Sequence, residues 1–126
     1  METKGKILVV DDHRTVVKLM EAVLRLRHYE VIYAENGEDG LALALREQPA
    51  LVFLDIMMPG LDGFTVCERL KGDPKTRHIP VIFLTARGEE TDVERGARAG
   101  GSGFVKKPFK TMEVLKLIEQ HLQKES

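Results

Sequence analysis

The sequence predicts an α/β protein of the open, doubly wound kind, in which a parallel sheet carries helices on both faces. Three observations predict it. Short apolar runs recur along the chain and, in the stronger cases, are continuous instead of alternating, as strands buried on both faces require. Stretches with helical spacing separate them. Gly and Pro fall between these segments and seldom inside them, at Gly37, Pro49, Pro59-Gly60, Asp62-Gly63, Asp73-Pro74, Pro80, Gly100-Gly101 and Pro108.

Taken in order, Ile7-Leu8-Val9-Val10 reads as the first strand, and Val16, Leu19, Met20 and Val23 mark the inward face of the first helix. Val31-Ile32 gives a shorter second strand, Leu51-Val52-Phe53-Leu54 the third, Val81-Ile82-Phe83-Leu84 the fourth and Phe104-Val105 the fifth. Val114, Leu115, Ile118 and Leu122 set the face of the last helix. The helix before the fifth strand is weakly specified. Between Glu89 and Arg98 only Val93 and Ala97 stand at helical spacing, and Gly96 costs about 1 kcal/mol relative to Ala. That segment is open to two readings, a mobile element or a merely exposed helix. Five such units joined by right-handed crossovers account for the chain as a single domain, residues 1–126.

Composition narrows the function. The chain has 126 residues, 43% apolar and 31% charged, the balance of a folded domain. A net charge of −1 with scattered Lys and Arg argues against direct nucleic-acid binding or an anionic membrane surface. The opening residues lead into an apolar run too brief for a signal peptide or a membrane span, so a cytoplasmic location is expected. Cys67 is the only cysteine, which excludes an internal disulfide, and it is expected to be a small buried residue on a helix. His13, His28, His78 and His121 are dispersed and are expected to be surface or packing residues, not ligands.

Ligands of an open α/β sheet bind beyond the carboxyl ends of the strands, near the point where strand order reverses. Asp11-Asp12 follow the first apolar run, Asp55 the third, Thr85 the fourth and Lys106-Lys107 the fifth, so all are expected on one edge. Singly, each has an ordinary role: Asp11 and Asp55 as solvated loop carboxylates, Asp12 as a helix cap, Thr85 as a β-branched strand residue, Lys107 as a surface charge. Together they read differently. Converging carboxylates repel unless a cation is present, and Mg²⁺ prefers this kind of oxygen set.

Four segments, Val9-Val10-Asp11-Asp12, Leu54-Asp55-Ile56-Met57-Met58-Pro59-Gly60-Leu61-Asp62-Gly63, Leu84-Thr85-Ala86 and Lys107-Pro108-Phe109, resemble the signatures of bacterial response-regulator receiver domains. The resemblance spans essentially the whole chain. It implies a three-layer, flavodoxin-like (βα)5 fold with strand order 2-1-3-4-5. It implies that Asp55 is the phosphoacceptor and that Mg²⁺, with Mn²⁺ as a substitute, is held by Asp12, Asp55, the Met57 carbonyl and, through water, Asp11. Lys107, which directly precedes Pro108 in a peptide expected to be cis, would neutralise the phosphoryl group, and Thr85 would donate to it. Phe104 would be the aromatic switch, turning inward as the fourth loop moves.

The implied partners are a sensor histidine kinase or histidine phosphotransfer protein and a downstream protein effector, and no effector domain is expected within this chain. The apolar residues of the last helix are read first as core, with a phosphorylation-dependent homodimer as the alternative. The activity expected is that of a stoichiometric phosphoacceptor that assists its own phosphorylation and dephosphorylation, not of a turnover enzyme. Departures from the family pattern are small: Lys106 adds a charge, and Phe stands at 104 where Tyr is frequent. Met57 and Arg87 occupy positions that tune hydrolysis in this family, and a moderately long-lived phosphoform is expected. The competing classes fit less well. A haloacid-dehalogenase-type phosphohydrolase needs Asp-x-Asp-x-Thr where this chain has Asp11-Asp12-His13-Arg14-Thr15, and the acidic pair would repel the FMN phosphate of a flavodoxin. A pseudo-receiver that only docks partners would not need the full constellation kept here.

Overall fold

The computed structural model describes residues 4–86 and 88–122. Its elements alternate as expected: β1 Lys6–Val10, α1 Arg14–Leu26, β2 Glu30–Ala34, α2 Gly37–Glu47, β3 Leu51–Asp55, α3 Gly63–Gly72, β4 Val81–Thr85, α4 Glu90–Arg98, β5 Gly103–Lys106 and α5 Thr111–Leu122. All neighbouring strands pair in parallel, in the order β2-β1-β3-β4-β5.

The sheet separates two apolar layers. Leu8, Val10, Val52 and Leu54 face Ala44 of α2 and Phe64, Cys67 and Leu70 of α3. Ile7, Val9, Phe53 and Leu84 face Val17, Met20 and Leu24 of α1 and Val114 and Ile118 of α5. Successive strand side chains point to opposite faces, so a strand covered on both must be apolar throughout, and β3 and β4 are buried at every position. At the edge, β2 is exposed at Glu30 and Tyr33, which is why its sequence signal is short.

Two expected faces differ from those found. In α1 the buried stripe is Val17, Met20, Val23 and Leu24, while Leu19 is half exposed. In α4 Val93 and Ala97 face solvent, and the buried positions are Asp92 and Gly96. The physical reason lies at Gly96. A Cβ there would come within 2.9 Å of the Phe83 ring, so the helix lies on that ring through a residue with no side chain. Gly96 is therefore a packing requirement and not a weak point. Among the described residues no helix is long and apolar enough to cross a membrane.

Candidate functional site

Strand order reverses between β1 and β3, and the chain ends of these two strands bring the carboxylates together. Val10 pairs in register with Leu54, so Asp11 and Asp55 stand side by side one residue further on. Both are almost fully buried. The loop after β3 is folded tightly back. Gly63, the first residue of α3, lies against the Asp55–Ile56 backbone so closely that a Cβ would meet the Asp55 carbonyl, and its N–H donates to the Ile56 carbonyl at 2.9 Å. Asp62 caps α3 by accepting from the Thr65 N–H at 2.9 Å. Asp62 and Gly63 thus hold the loop that carries Met57.

Within the cluster, Asp55 Oδ1 accepts from the Met57 N–H at 3.2 Å, and Asp11 Oδ1 accepts from the His13 N–H at 2.9 Å. Lys107 Nζ lies 2.7 Å from Asp11 Oδ2 and 3.5 Å from Asp55 Oδ2. At 2.7 Å the ion pair to Asp11 is close, yet neither Oδ2 accepts a hydrogen bond of acceptable direction. The two buried oxygens have charge compensation without directed bonding, which leaves lone pairs that suit an added hard cation. Burial, then the Asp11 charge, push the Asp55 carboxyl up to about 6, against the opposing pull of Lys107 and the Met57 N–H.

Asp12 does not take the capping role left open to it. The residue at the N-cap of α1 is His13, with no side-chain cap, and the Asp12 carboxylate joins the cluster instead, 3.2 Å from His13 Nδ1. Thr85 ends β4, buried, pairing with Lys106 and accepting at its carbonyl from the Lys107 N–H at 2.7 Å. The Lys107–Pro108 peptide is cis. Asp11, Asp12, Asp55, Thr85 and Lys107 therefore lie on one edge, and Met57, half exposed, stands at its rim.

Residues 7–119 match the response regulator receiver domain. The chain belongs to that family. The receiver is 50% identical over 105 residues to the response regulator PleD of Caulobacter vibrioides, covering 83% of this chain and 23% of PleD. It is 42% identical over 114 residues to the protein PilH of Pseudomonas aeruginosa, covering 90% of this chain and 94% of PilH. The chain spans about half the length of other curated relatives. Among solved structures, it resembles the receiver domain of the P. aeruginosa sensor histidine kinase PA1611, which holds a magnesium ion in its active-site cleft. The TM-score is 0.87 at 28% identity, over 94% of this chain and 98% of that one.

Phe104 of the receiver is partly buried, with its ring centroid 6.1 Å from that of Phe83, beside a groove that also borders Val93 and Ala97 of α4. Arg87, expected to influence hydrolysis, lies outside the described residues. His13 was expected to be a surface or packing side chain, and its ring is indeed largely exposed, but Nδ1 points into the carboxylate cluster, 2.9 Å from Asp11 Oδ1 and 3.7 Å from Asp55 Oδ2. Its position directly after Asp11-Asp12 was the available signal.

Proposed function

We propose that residues 1–126 act as one phosphoryl-accepting switch of a two-component pathway, with Asp55 as the acceptor. The observation that carries this reading is the environment of Asp55: a buried carboxylate with one oxygen held by the Met57 N–H and the other lacking a hydrogen bond, facing Lys107. A carboxylate fixed in this way, with positive charge beside it, is a nucleophile suited to a phosphoryl group.

Asp12, Asp55 and the Met57 carbonyl would hold Mg²⁺, or Mn²⁺ in its place, with Asp11 acting through a bound water. The unsatisfied Asp11 and Asp55 oxygens and the oxygen-rich donor set support this, as does the magnesium ion in the PA1611 receiver. When bound, the ion would supply positive charge to the phosphoryl oxygens. The donor would be a phosphohistidine on a sensor histidine kinase or a histidine phosphotransfer protein. An Asp55 oxygen bonds to phosphorus as the phosphorus–nitrogen bond breaks, and the electron pair stays on the imidazole nitrogen, which takes up a proton. The resulting acyl phosphate is later cleaved by water, so the chain is consumed and restored stoichiometrically.

Lys107 balances the charge added at Asp55, and the Thr85 hydroxyl donates to a phosphoryl oxygen, drawing the loop after β4 inward. Phe104, which lines the α4 groove beside Phe83, turns inward as that loop moves. The altered α4–β5–α5 face then engages a downstream protein or a second copy of the chain, in the cytoplasm. The test is incubation with acetyl phosphate, with and without Mg²⁺, followed by intact-mass measurement. A Mg²⁺-dependent gain of one phosphoryl group in wild type but not in Asp55→Asn is expected. No gain under any condition would overturn the reading in favour of a phosphate-independent docking module.

A further inference from the structure

His13 introduces a nitrogen donor into a site otherwise made of oxygens. Its Nδ1 lies 2.9 Å from Asp11 Oδ1, 3.2 Å from Asp12 Oδ1 and 3.7 Å from Asp55 Oδ2. Donor atoms of the four residues all fall within 4.8 Å of one another. Neighbouring ligands around a divalent ion are spaced ~3.0 Å apart in an octahedron of ~2.1 Å bonds and ~3.3 Å apart in a tetrahedron of ~2.0 Å bonds. The nitrogen therefore already stands at ligand spacing from the Asp11 and Asp12 carboxylates, with Asp55 Oδ2 a little farther off. Asp11 Oδ2 and Asp55 Oδ2, buried beside the Lys107 ammonium yet without hydrogen bonds, keep lone pairs for a further cation.

The local chain explains why the imidazole is held there. His13 is the N-cap residue of α1, in an extended conformation, and its own N–H is fixed to Asp11 Oδ1. The side chain is largely exposed, and an imidazole that carries its proton on Nε2 can offer the Nδ1 lone pair to a metal.

We propose that His13 Nδ1 is a direct ligand for divalent transition metals at this site, giving the receiver a stronger preference for Zn²⁺-class ions over Mg²⁺ than its carboxylates alone would give. This rests on the acidic cluster being a cation site, as argued above. Imidazole nitrogen suits Zn²⁺, Ni²⁺ and Cu²⁺, whereas Mg²⁺ keeps water in preference to nitrogen. Removing the imidazole should therefore cost the two classes unequally.

The experiment is calorimetric titration of the untagged full chain with Zn²⁺ and with Mg²⁺, for wild type, His13→Ala, His13→Asn and Asp12→Asn. Asn retains a favourable helix-cap residue while removing the nitrogen base, and thermal melts verify that each variant folds. In parallel, the His13 ring nitrogens are followed by ¹⁵N NMR during the Zn²⁺ titration. Expected are a shift of the His13 Nδ1 resonance that saturates with the calorimetric isotherm, and a Zn²⁺ affinity at least ~10-fold weaker in both His13 variants, with Mg²⁺ affinity changed less than ~2-fold. Asp12→Asn should weaken both ions, placing them at this cluster. An unmoved Nδ1 resonance, or equal losses for the two ions, overturns the role of His13 and leaves the acidic site intact. Failure of wild type to bind either ion overturns the cation site itself and this inference with it.

Discussion

Lys107 Nζ stands 2.7 Å from Asp11 Oδ2, and the same ammonium lies 3.5 Å from Asp55 Oδ2. It is a compact positive charge set between two buried carboxylates, in a position where water cannot screen it well. Lys107→Met keeps the bulk of the stem and removes the charge. In EDTA the variant should lose on the order of 3 kcal/mol of stability in urea unfolding, because the carboxylates are left uncompensated. Saturating Mg²⁺ should narrow the gap between the two proteins, since a cation then replaces the lost ammonium. An unchanged midpoint in EDTA would show that Lys107 does not balance this cluster.

Asp55 carries the opposite liability. Burial and the charge of Asp11 raise its carboxyl from 3.8 to about 6, so the folded protein holds that proton more tightly than the unfolded chain does. As pH rises from about 4 to about 6 the fold loses stability, and above that window the loss is complete. Asn cannot ionise and escapes it. At about pH 7.5 without divalent ions, Asp55→Asn should unfold at higher urea than wild type, by on the order of 2 kcal/mol, and the advantage should fade below about pH 4. A constant difference across that range would mean that the carboxyl is not the source.

Asp55 was legible in the sequence because it ends a continuous apolar run, as a parallel strand buried on both faces requires, whereas Lys107 follows a short edge strand and was singled out by its place before Pro108 in the family resemblance. The strand ends then fixed Asp11, Asp55, Thr85 and Lys107 to one edge, as found. Helix faces were less legible. In α1 two neighbouring stripes of apolar residues compete, and the fold buries Val17 and Leu24 while leaving Leu19 half exposed. In α4 the contact is made by Asp92 and Gly96, neither of which registers as apolar. His13 escaped for another reason: its ring is mostly exposed, and only the turn at the start of α1 aims one nitrogen inward. Asp62 and Gly63 were read as turn markers, yet they are the cap and the close contact that fix the loop after β3.

Cys67 should be chemically silent in the native protein. It is fully buried on α3, its Sγ lies 3.4 Å from the Ala99 carbonyl, and burial pushes the thiol up to about 11. Only the thiolate reacts at a useful rate, and at neutral pH it is scarce as well as inaccessible. Titration with a chromogenic disulfide reagent should release no thiolate signal from folded protein over minutes and one equivalent after denaturation. Rapid native reaction would place the thiol at the surface, contrary to the packing of α3.

Gly96 and Gly72 offer a matched pair of substitutions with opposite signs. A Cβ at Gly96 would lie 2.9 Å from Phe83 Cε2, and Phe83 has little room to yield, because Phe64 and Phe104 flank it at centroid distances of 5.5 and 6.1 Å. Gly96→Ala therefore forces α4 outward or the ring aside, at about 1–3 kcal/mol, partly offset by the gain of about 1 kcal/mol in helix propensity. At Gly72, the last residue of α3, a Cβ meets nothing within 4 Å, so Gly72→Ala should only restrict the unfolded chain and add about 0.5 kcal/mol. Urea midpoints for the two variants should fall on opposite sides of wild type. Because Phe104 leans on the same ring, Gly96→Ala should also alter the aromatic near-ultraviolet circular dichroism, while Gly72→Ala leaves it unchanged. Two midpoints shifted in the same direction would show that α4 does not rest on Phe83 through Gly96.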